Sequence, residues 1–296
     1  RPFGKAIYKR EADYFVYPVS FIILYTWLAK ILIAGVHTLP LLGALHLVAG
    51  RFYGFPVAER NYDDFNFTTA ELFWNLFRCL VLTNAVRLVI WLVVELGAKW
   101  GFMGRREEGR YNYDTSDYCQ NWELYQIAAR IRNPGRMNFM DFIAGTPFIV
   151  AFFRAYGCTI GKDCCLYPAG ADPFMPEPDL VYIGDRCVID CASVVCHLNT
   201  RGNFELAKIT LGNHVTLRTS SRIQQGVQME SGSMILEKSL AMTGEVIEAD
   251  SVWQGAPASL LFTYDFTSVQ PSISFGLDNN AGGPPIPIML KKQHSV

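Results

Sequence analysis

The chain has 296 residues, half of them hydrophobic and 18% charged, so it can bury a large core within one or two domains. Its formal net charge of -1 gives no basic field over the whole chain, which argues against nucleic acid as a partner. The first residue is Arg1 rather than Met, and no cleavable signal pattern follows it. We therefore expect the chain to be a piece of a larger protein.

Two stretches in the first third of the chain are apolar over the length that a bilayer requires. The first covers residues 17–39, is broken at Pro40 and continues as an apolar run to residue 48; the second covers residues 73–96. Both have the roughly 20 apolar residues that span a hydrocarbon core. The stretches are interrupted by Lys30, His37, Arg78 and Arg87. A charge in lipid costs about 3 kcal/mol unless it is paired or reaches the interface. We predict a transmembrane helical hairpin; the alternative is two long buried helices in a soluble helical domain.

Basic residues flank the predicted hairpin on its outer sides. They are Arg1, Lys5, Lys9, Arg10, Lys99, Arg105, Arg106 and Arg110. The intervening loop has only Arg51 and Arg60 as basic residues, against Glu59, Asp63 and Asp64. Basic residues are enriched on the cytoplasmic side of membrane helices. The sequence therefore predicts an integral membrane protein whose following domain faces the cytosol.

The region between the hairpin and the repeat described below has two parts. Residues 105–138 are polar and aromatic, and we expect a helix over about residues 121–132. Residues 140–156 are apolar but contain Gly145 and Pro147, and they are too short to cross a membrane. We expect this second part to cap the first coil of the repeat or to lie in the membrane interface.

From Ile183 onward, an apolar residue recurs every six positions, with one interruption between Val195 and Leu211. Most of these residues are aliphatic, and the last one is Trp253. The marked positions are Ile183, Ile189, Val195, Leu211, Leu217, Ile223, Met229, Ile235, Ala241, Ile247 and Trp253. A residue that is usually small stands two positions before most of them, and residues two apart in a strand face the same way. An amphipathic helix would instead repeat every three to four residues. The pattern predicts a left-handed parallel β-helix of hexapeptide repeats, with about 18 residues per coil and roughly five coils over residues 159–260.

The predicted fold class is thus α + β, a transmembrane helical hairpin followed by a left-handed β-helix. The expected domains are residues 1–110 for the hairpin with its basic flanks and 111–157 for the connector and capping helices. Residues 158–262 form the β-helix, and residues 263–296, rich in Gly and Pro, form an exposed tail.

The eight cysteines suggest packing rather than disulfides or metal binding. Cys158, Cys164 and Cys187 occupy the inward small-residue positions of the repeat, which is typical of thiols in a reducing compartment. No C-x-x-C pair occurs, so no metal site is predicted.

The best candidate for a functional group lies where the six-residue period is interrupted. Val195 and Leu211 are sixteen residues apart, which is not a multiple of six, so the chain must leave the coil as a loop. Loops on a rigid scaffold commonly carry binding and catalytic groups, and His197 lies at the corner where this loop departs. An imidazole can deprotonate an amine or alcohol near neutral pH, as acyl transfer to such a nucleophile requires. The alternative is that His197 only fixes the turn by bonding a loop carbonyl.

Four further residues are candidates around His197. Glu205 is expected to orient the imidazole, and Asn199 and Arg201 are expected to bind a polar acceptor. Arg222, on a later coil, is expected to reach the site or to bind a phosphate-bearing arm. For each of the four, the alternative is a solvated surface residue.

Several segments resemble hexapeptide acyltransferases. Gly145-Thr146-Pro147, leading through Arg154 and Gly157 to Ile160-Gly161, resembles the start of the repeat in that family. The stretch 197–205 and the closing sequence 253–258, which reads WQGAPA, extend the likeness. Together with the predicted hairpin, they resemble the membrane-bound C-terminal region of nonribosomal-peptide-synthetase-like enzymes of the ε-poly-lysine synthetase type. The resemblance covers the chain from the first apolar stretch to about Leu261.

The resemblance implies an acyl or aminoacyl transferase. In such enzymes an adenylation domain activates the acid, a carrier domain holds it as a phosphopantetheine thioester, and the β-helix region joins it to an amine or hydroxyl acceptor. No cofactor would be bound directly, and a CoA thioester is the alternative donor. His197 would be the base, and backbone amides near it would stabilise the oxyanion. Tandem units imitate a trimer, so a homotrimer or a tandem pseudo-trimer is expected.

The sequence departs from this pattern in two ways. Acidic residues tend to follow the histidine in polylysine-type sequences, whereas Leu198, Asn199 and Thr200 follow it here. The sequence also contains no adenylation domain or phosphopantetheine-bearing serine motif, so the acyl group must come from elsewhere. Two other functions are therefore weighed: a catalytically inactive tandem copy that serves as membrane anchor and docking scaffold, and a stand-alone CoA-dependent hexapeptide acetyltransferase.

Overall fold

The computed structural model describes residues 4–53, 68–132, 139–168 and 175–264. The chain divides into two compact units. A helical unit consists of residues 1–105, 111–142 and 201–203, and a β-helical unit consists of residues 106–110, 143–200 and 204–296. The exposed tail predicted for residues 263–296 lies outside the described residues from position 265 onward.

The helical unit is built on two long helices that pack against each other. Its helices are α1 (Lys5–Tyr8), α2 (Val19–Tyr53), α3 (Thr69–Ala98), which continues as a π-helix (Lys99–Met103), and α4 (Tyr118–Ala129), followed by a 3₁₀ turn (Arg130–Arg132). Thr68 begins α3 with a capping box, since its hydroxyl accepts from the Glu71 N–H and the Glu71 carboxylate accepts from the Thr68 N–H. The helix expected over about residues 121–132 corresponds to α4 and the turn after it.

The predicted break at Pro40 is wrong, because α2 continues through it as one helix. A proline inside a helix removes one hydrogen bond and costs about 3 kcal/mol when nothing compensates. Here two side chains of α3 donate to carbonyls beside the proline. The Arg87 guanidinium donates to the His37 carbonyl, and the Thr83 hydroxyl lies 3.5 Å from the Pro40 carbonyl. These donors add hydrogen bonds to carbonyls near the proline, as neighbouring helices do around prolines in apolar surroundings.

Two helical segments are long and apolar enough to cross a bilayer, namely Val19–Leu47 and Thr69–Met103. Only 6% and 22% of their most apolar windows are buried within the described residues. A core helix of a soluble protein would bury most of such a window, although length and composition alone do not separate a membrane span from a core helix or a signal sequence.

The β-helical unit starts with a short helix, α5 (Pro147–Ala155). The Thr146 hydroxyl caps this helix by accepting from the Phe148 N–H at 3.2 Å. At the other end, the Arg154 guanidinium donates to the carbonyls of Ile160, at 2.9 Å, and of Gly161, at 2.6 Å, at the first strand of the repeat. The apolar segment therefore caps the first coil, which is one of the two positions expected for it.

The repeat forms three parallel sheets. One contains β2 (Thr159–Ile160), β4 (Val181–Ile183), β9 (Ile209–Leu211), β12 (Gln228–Met229) and β15 (Val246–Ile247), in that order. The second contains β3 (Cys165–Leu166), β5 (Val188–Ile189), β10 (Thr216–Leu217), β13 (Met234–Ile235) and β16 (Ser251–Gln254), with β17 (Ser259–Thr263) antiparallel at its end. The third contains β6 (Ser193–Val194), β11 (Arg222–Ile223) and β14 (Leu240–Ala241). Because the chain visits the three sheets in turn, the unit is a three-sided parallel β-helix; its left-handed sense remains a prediction.

The six-residue period correctly identifies most of the inward side chains. The residues that are at most 2% exposed among the marked positions are Ile183, Ile189, Val195, Leu211, Leu217, Ile223, Met229, Ile235, Ala241 and Ile247. Leu211 pairs with Met229, and Met229 with Ile247, which gives 18 residues per coil as expected. Trp253 is half-buried at the last coil.

In the third sheet the register differs by one residue from the expected one. Val194, and not Val195, pairs with Ile223, and Ser193 is half-exposed. The preceding turn is one residue shorter than the others, because the Ala192 N–H bonds back to the Asp190 carbonyl. Val195 is nevertheless buried, since it lies at the corner that leads to Cys196 and His197.

The eight cysteines are free thiols. Cys158 and Cys187 are buried as expected, whereas Cys164 is half-exposed and donates to the Gly184 carbonyl at 3.1 Å. Burial raises the pKa of the Cys187 thiol from about 9 to about 11, and it raises the pKa of Cys158 further.

Candidate active site

The interruption of the period forms a β-hairpin rather than an irregular loop. Its strands are β7 (His197–Thr200) and β8 (Asn203–Leu206), and β1 (Gly109–Asn112) adds a third strand on the β8 side. The two turn residues, Arg201 and Gly202, have φ values of 47° and 80°. Positive φ at both positions is the type I′ geometry that matches the twist of a tight hairpin. In the sequence, Gly202 is the residue that indicates a tight turn here.

His197, the first residue of β7, has a carboxylate partner that the sequence analysis missed. Its Nδ1 lies 2.8 Å from Oε1 of Glu177, whose side chain is fully buried. The other carboxylate oxygen, Oε2, accepts from the Cys196 N–H at 3.3 Å. Glu177 is thus fixed by two donors, and one of them is the imidazole.

The expectation that Glu205 orients the imidazole is wrong. Glu205 instead pairs with Arg110, with 2.6 Å between Oε1 and Nη2. The reason is the alternation of side chains along β8, where neighbouring residues point to opposite faces. Phe204 is fully buried and its ring lies 5.0 Å from the imidazole ring, centroid to centroid, so Glu205 must face away from it.

Glu177 lies in the chain segment between β3 of the first coil and β4 of the second coil. It precedes a 3₁₀ turn (Pro178–Leu180), which leads into β4. In the sequence, the role of Glu177 is indicated only by its being an acidic residue shortly before a strand of the coil. The six-residue period does not extend into this segment. The period therefore could not indicate that the Glu177 side chain lies beside His197.

The hydrogen bond to Glu177 determines which nitrogen of His197 is available for chemistry. A carboxylate accepts hydrogen bonds only, so Nδ1 carries the proton that is shared with Glu177, and in the neutral ring Nε2 keeps a lone pair. The imidazole side chain is 19% exposed, whereas the carboxylate is completely enclosed. A buried carboxylate also stabilises the imidazolium that forms when Nε2 takes a proton. The pair can therefore act as an oriented general base.

The three predicted binding residues lie at different places. Asn199 follows His197 by two residues on β7, and the two side chains therefore point to the same face of the strand. Its Oδ1 is buried without a hydrogen-bond partner among the described residues. Arg201 is exposed at the hairpin turn. Arg222 is exposed on β11 opposite Ser193, and in the described part of the chain no hydrogen bond or ion pair joins it to His197.

Within the described ranges, no group of three or more His, Cys, Asp or Glu side chains has an arrangement that would hold a metal ion.

Comparison with known proteins gives one partial sequence relative. No protein-family model matches the chain. A delta-poly-L-ornithine synthetase of Acinetobacter baumannii (strain AB307-0294) is 34% identical over 122 residues. The alignment covers 41% of this chain and 9% of that protein, so the chain spans only a small part of the curated relative that it matches.

Solved structures with partial likeness are more distant. A maltose O-acetyltransferase from Clostridium difficile 630 aligns over 60% of this chain and 88% of its own, with 13% identity and a TM-score of 0.34. A hexapeptide-repeat-containing acetyltransferase from Vibrio cholerae aligns over 60% of this chain and 92% of its own, with 10% identity and a TM-score of 0.30. Similarities at this level assign neither a fold nor an activity to the chain.

Proposed function

We propose that this chain is a membrane-anchored acyl or aminoacyl transferase unit of the hexapeptide-repeat type, which joins a thioester-bound acyl group to an amine or hydroxyl acceptor. The observation that carries the proposal is the hydrogen bond from Nδ1 of His197 to the buried carboxylate of Glu177. It lies at the corner where a hairpin leaves a three-sided parallel β-helix. A partly exposed imidazole with a buried carboxylate partner is suited to general-base activation of an amine or alcohol.

In the proposed reaction, Nε2 of His197 accepts the proton of the acceptor amine or hydroxyl as its nitrogen or oxygen attacks the thioester carbonyl carbon. The resulting tetrahedral intermediate carries an oxyanion, for which we expect backbone amides near the hairpin to be donors. The carbon–sulfur bond then breaks, and the imidazolium returns its proton to the leaving thiolate. The products are an amide or an ester and a free thiol, and Glu177 stabilises the positive ring between the two proton transfers.

Asn199 is the residue that we propose to bind the acceptor. Its buried Oδ1 has no partner among the described residues, and a buried amide without a partner is costly. A donor N–H or O–H from the acceptor would satisfy it on the same face of β7 as the base. Arg201 and Arg222 are exposed and cationic, and they remain proposals for contacts with a polar acceptor or with the phosphate of a phosphopantetheine arm.

The donor and the assembly are proposed from the sequence resemblance and the partial relative. The relative is named as a synthetase of polyornithine, which favours an aminoacyl donor and an amine acceptor. We propose that the donor is a phosphopantetheine thioester on a carrier domain, loaded by an adenylation domain, with a CoA thioester as the alternative. A left-handed β-helix of this type would work as a homotrimer or a tandem pseudo-trimer.

We also propose that α2 and α3 form a transmembrane hairpin and that the β-helical unit faces the cytosol. Two helices with the required length and low internal burial support the anchor. The basic flanks predict the orientation. The contact of Arg87 with the His37 carbonyl also reduces the cost of an arginine within such a segment.

The test of the proposed function is acyl transfer by the full chain in detergent or lipid nanodiscs. The donors are ornithine bound as a thioester to a separate carrier protein, and acetyl-CoA; the acceptors are free ornithine and a hydroxyl analogue, with products identified by mass spectrometry. His197→Ala should reduce transfer by about 10²- to 10⁴-fold, the usual contribution of a general base. His214→Asn is the matched control, because His214 is an exposed histidine with positive φ on another coil, a conformation that asparagine tolerates.

The outcomes separate the candidate functions. Transfer from the carrier thioester but not from acetyl-CoA supports the proposed donor, and the reverse result supports a stand-alone CoA-dependent enzyme. Equal rates for wild type and His197→Ala would remove His197 as the base. A folded wild type that transfers from neither donor would favour an inactive copy that serves as an anchor and docking scaffold.

A further inference from the structure

Residues 106–110, here called the strap, make three ion pairs within the β-helical unit. Its alternate residues Arg106, Glu108 and Arg110 are the participants. Their partners are Asp179, Lys208 and Glu205, respectively.

The first ion pair is completely buried. The Arg106 Nη1 lies 2.8 Å from Oδ1 of Asp179, and the Arg106 backbone N–H donates to Oδ2, also at 2.8 Å. Neither side chain is exposed. Because two desolvated charges are costly unless their geometry is good, a buried pair is weak support for stability, but it fixes the positions of both groups closely.

This ion pair lies next to the carboxylate that bonds the imidazole. Asp179 follows Glu177 by two residues, and Pro178, which starts the 3₁₀ turn, stands between them. The proline ring restricts φ, so the backbone between the two acidic residues has little freedom. Fixing Asp179 through Arg106 therefore restricts where the Glu177 carboxylate can lie.

Of the other two ion pairs, one reaches the hairpin at Glu205 and the other reaches Lys208, two residues after the hairpin ends. The Arg110 guanidinium pairs with Glu205 on β8 at 2.6 Å, and Glu205 is the neighbour of Phe204, whose ring packs beside the imidazole. Glu108 accepts from the Lys208 backbone N–H at 2.8 Å, and its carboxylate lies 2.9 Å from the Lys208 Nζ. The backbone hydrogen bond and the ammonium of Lys208 lower the pKa of Glu108, so this carboxylate stays ionised to a lower pH than an ordinary glutamate does.

We infer that the strap is a positioning element for the His197–Glu177 pair, in which Arg106 fixes the carboxylate side and Arg110 fixes the hairpin side. The two described neighbours of the imidazole are close in sequence to residues that the strap holds: Glu177 lies two residues before Asp179, and Phe204 is adjacent to Glu205. Among the described residues no hydrogen bond or ion pair joins the strap to His197, and in the proposed reaction the strap does not bind the substrate. The effect of the strap on catalysis rests on the proposed function, whereas its effect on the position of the imidazole does not.

The test is a charge exchange at the hairpin side, where folding should tolerate it, because Arg110 is 68% and Glu205 24% exposed. Arg110→Glu and Glu205→Arg are each compared with the double exchange in the full chain. Each single change should lower kcat by roughly 2- to 5-fold, in line with a partly exposed pair, with little effect on KM, and should move the midpoint of the pH–rate profile. The double exchange should restore both. Exchanging Arg218 and Glu237, an exposed pair on the coils, is the matched control and should change neither quantity.

On the buried side, Arg106→Lys and Asp179→Asn should lower kcat by about 10-fold or more, since each leaves a desolvated group poorly paired. If these variants do not fold, the hairpin exchange still decides the inference. A second readout does not depend on activity: ¹⁵N NMR of the histidines, with the His197 signals assigned by their loss in His197→Gln. The single hairpin changes should shift the His197 Nδ1 signal and its titration midpoint, and the double exchange should return them.

The outcomes distinguish the strap from the proposed function. If His197→Ala abolishes transfer while the hairpin variants match wild type in kcat, pH profile and NMR, the strap inference is overturned and the proposed function stands. If wild type shows no transfer, the proposed function fails, and the NMR comparison alone decides the strap. Shifts in the single variants that the double exchange reverses would then support it, and unchanged His197 signals would overturn it.

Discussion

Glu177 reaches His197 across twenty residues of chain, and its two carboxylate oxygens bond the imidazole Nδ1 and the Cys196 backbone N–H. One buried carboxylate thus orients the ring and fixes the backbone that carries it. Such a partner sets the tautomer of a catalytic imidazole and stabilises its protonated form. The position of Nε2 is consequently determined by residues outside the hairpin.

Glu177→Gln should lower kcat by about 10- to 100-fold, less than the loss of the base itself. An amide offers only one acceptor oxygen to the two donors, so either the imidazole Nδ1–H or the Cys196 N–H must face an NH₂ group. The tautomer with the proton on Nε2 then becomes more favourable, and that tautomer cannot act as a base toward the acceptor. Steady-state kinetics over pH 6–9 measure the effect, with Glu237→Gln as a control on an exposed ion pair. A Glu177→Gln enzyme with the wild-type kcat would show that Glu177 has no part in catalysis.

Asn199→Ala should raise KM for the acceptor about 5- to 10-fold and leave kcat within about 3-fold of wild type. The reason is that a single hydrogen bond to a bound substrate contributes about 1–1.5 kcal/mol. Competition between two acceptors that differ in one N–H or O–H group measures the contribution directly. Thr200→Val, one residue further on the other face of β7, is the matched control. Loss of kcat with an unchanged KM would instead indicate that Asn199 supports the imidazole or the oxyanion.

The sequence could predict the coil because burial in a β-helix imposes one regular constraint on every turn. The six-residue spacing therefore identified the residues of the core, including Leu211, Met229 and Ile247. The same argument failed by one residue at Val194, because the shortened turn at Ala192 is set by a local hydrogen bond that leaves no mark on the hydrophobic pattern.

The site was less predictable because its parts lie on excursions outside the period. His197 could be proposed from the interruption itself. Glu177 could not, because its distance from His197 depends on how the segment before β4 packs against the hairpin, and neither segment follows the six-residue period. Proximity in sequence favours Glu205, but the alternation of side chains along β8 turns it toward Arg110. Pro40 interrupts the apolar stretch in the sequence, whereas in the structure α2 continues through it and side chains of α3 donate to carbonyls near it.

The folded protein should lose stability as pH rises above about 9. Burial raises the pKa of Cys187 to about 11 and that of Cys119 to about 12. A thiol whose pKa is higher in the folded state binds its proton more tightly there, so its contribution is fully present below the unfolded pKa of about 9 and is lost as pH rises through the folded value. Each such thiol changes the free energy of unfolding by at most about 1.4 kcal/mol per pH unit.

Cys187→Ala isolates one of these contributions. The variant should show a shallower fall of the denaturation midpoint between about pH 9 and 11, followed by tryptophan fluorescence in urea, because it lacks the buried thiol. Cys165→Ala, which removes a half-exposed thiol, serves as the control. Identical pH profiles for wild type and Cys187→Ala would contradict the assignment.

The proposed membrane orientation predicts where the exposed thiols of the β-helical unit can be labelled. Cys164, Cys165 and Cys191 are half-exposed, whereas Cys158, Cys187 and Cys196 are buried, with pKa values that burial raises. Since the thiolate is the reactive form, a membrane-impermeant maleimide at pH 7 should modify the first three and spare the others. If both ends of the hairpin are cytoplasmic, labelling should occur in sealed inverted vesicles and not in right-side-out vesicles. The triple variant with Ser at the three half-exposed positions should abolish the signal.

Labelling in right-side-out vesicles alone would indicate the opposite orientation. Release of the protein from membranes by alkaline carbonate would argue instead for two helices that do not span the bilayer.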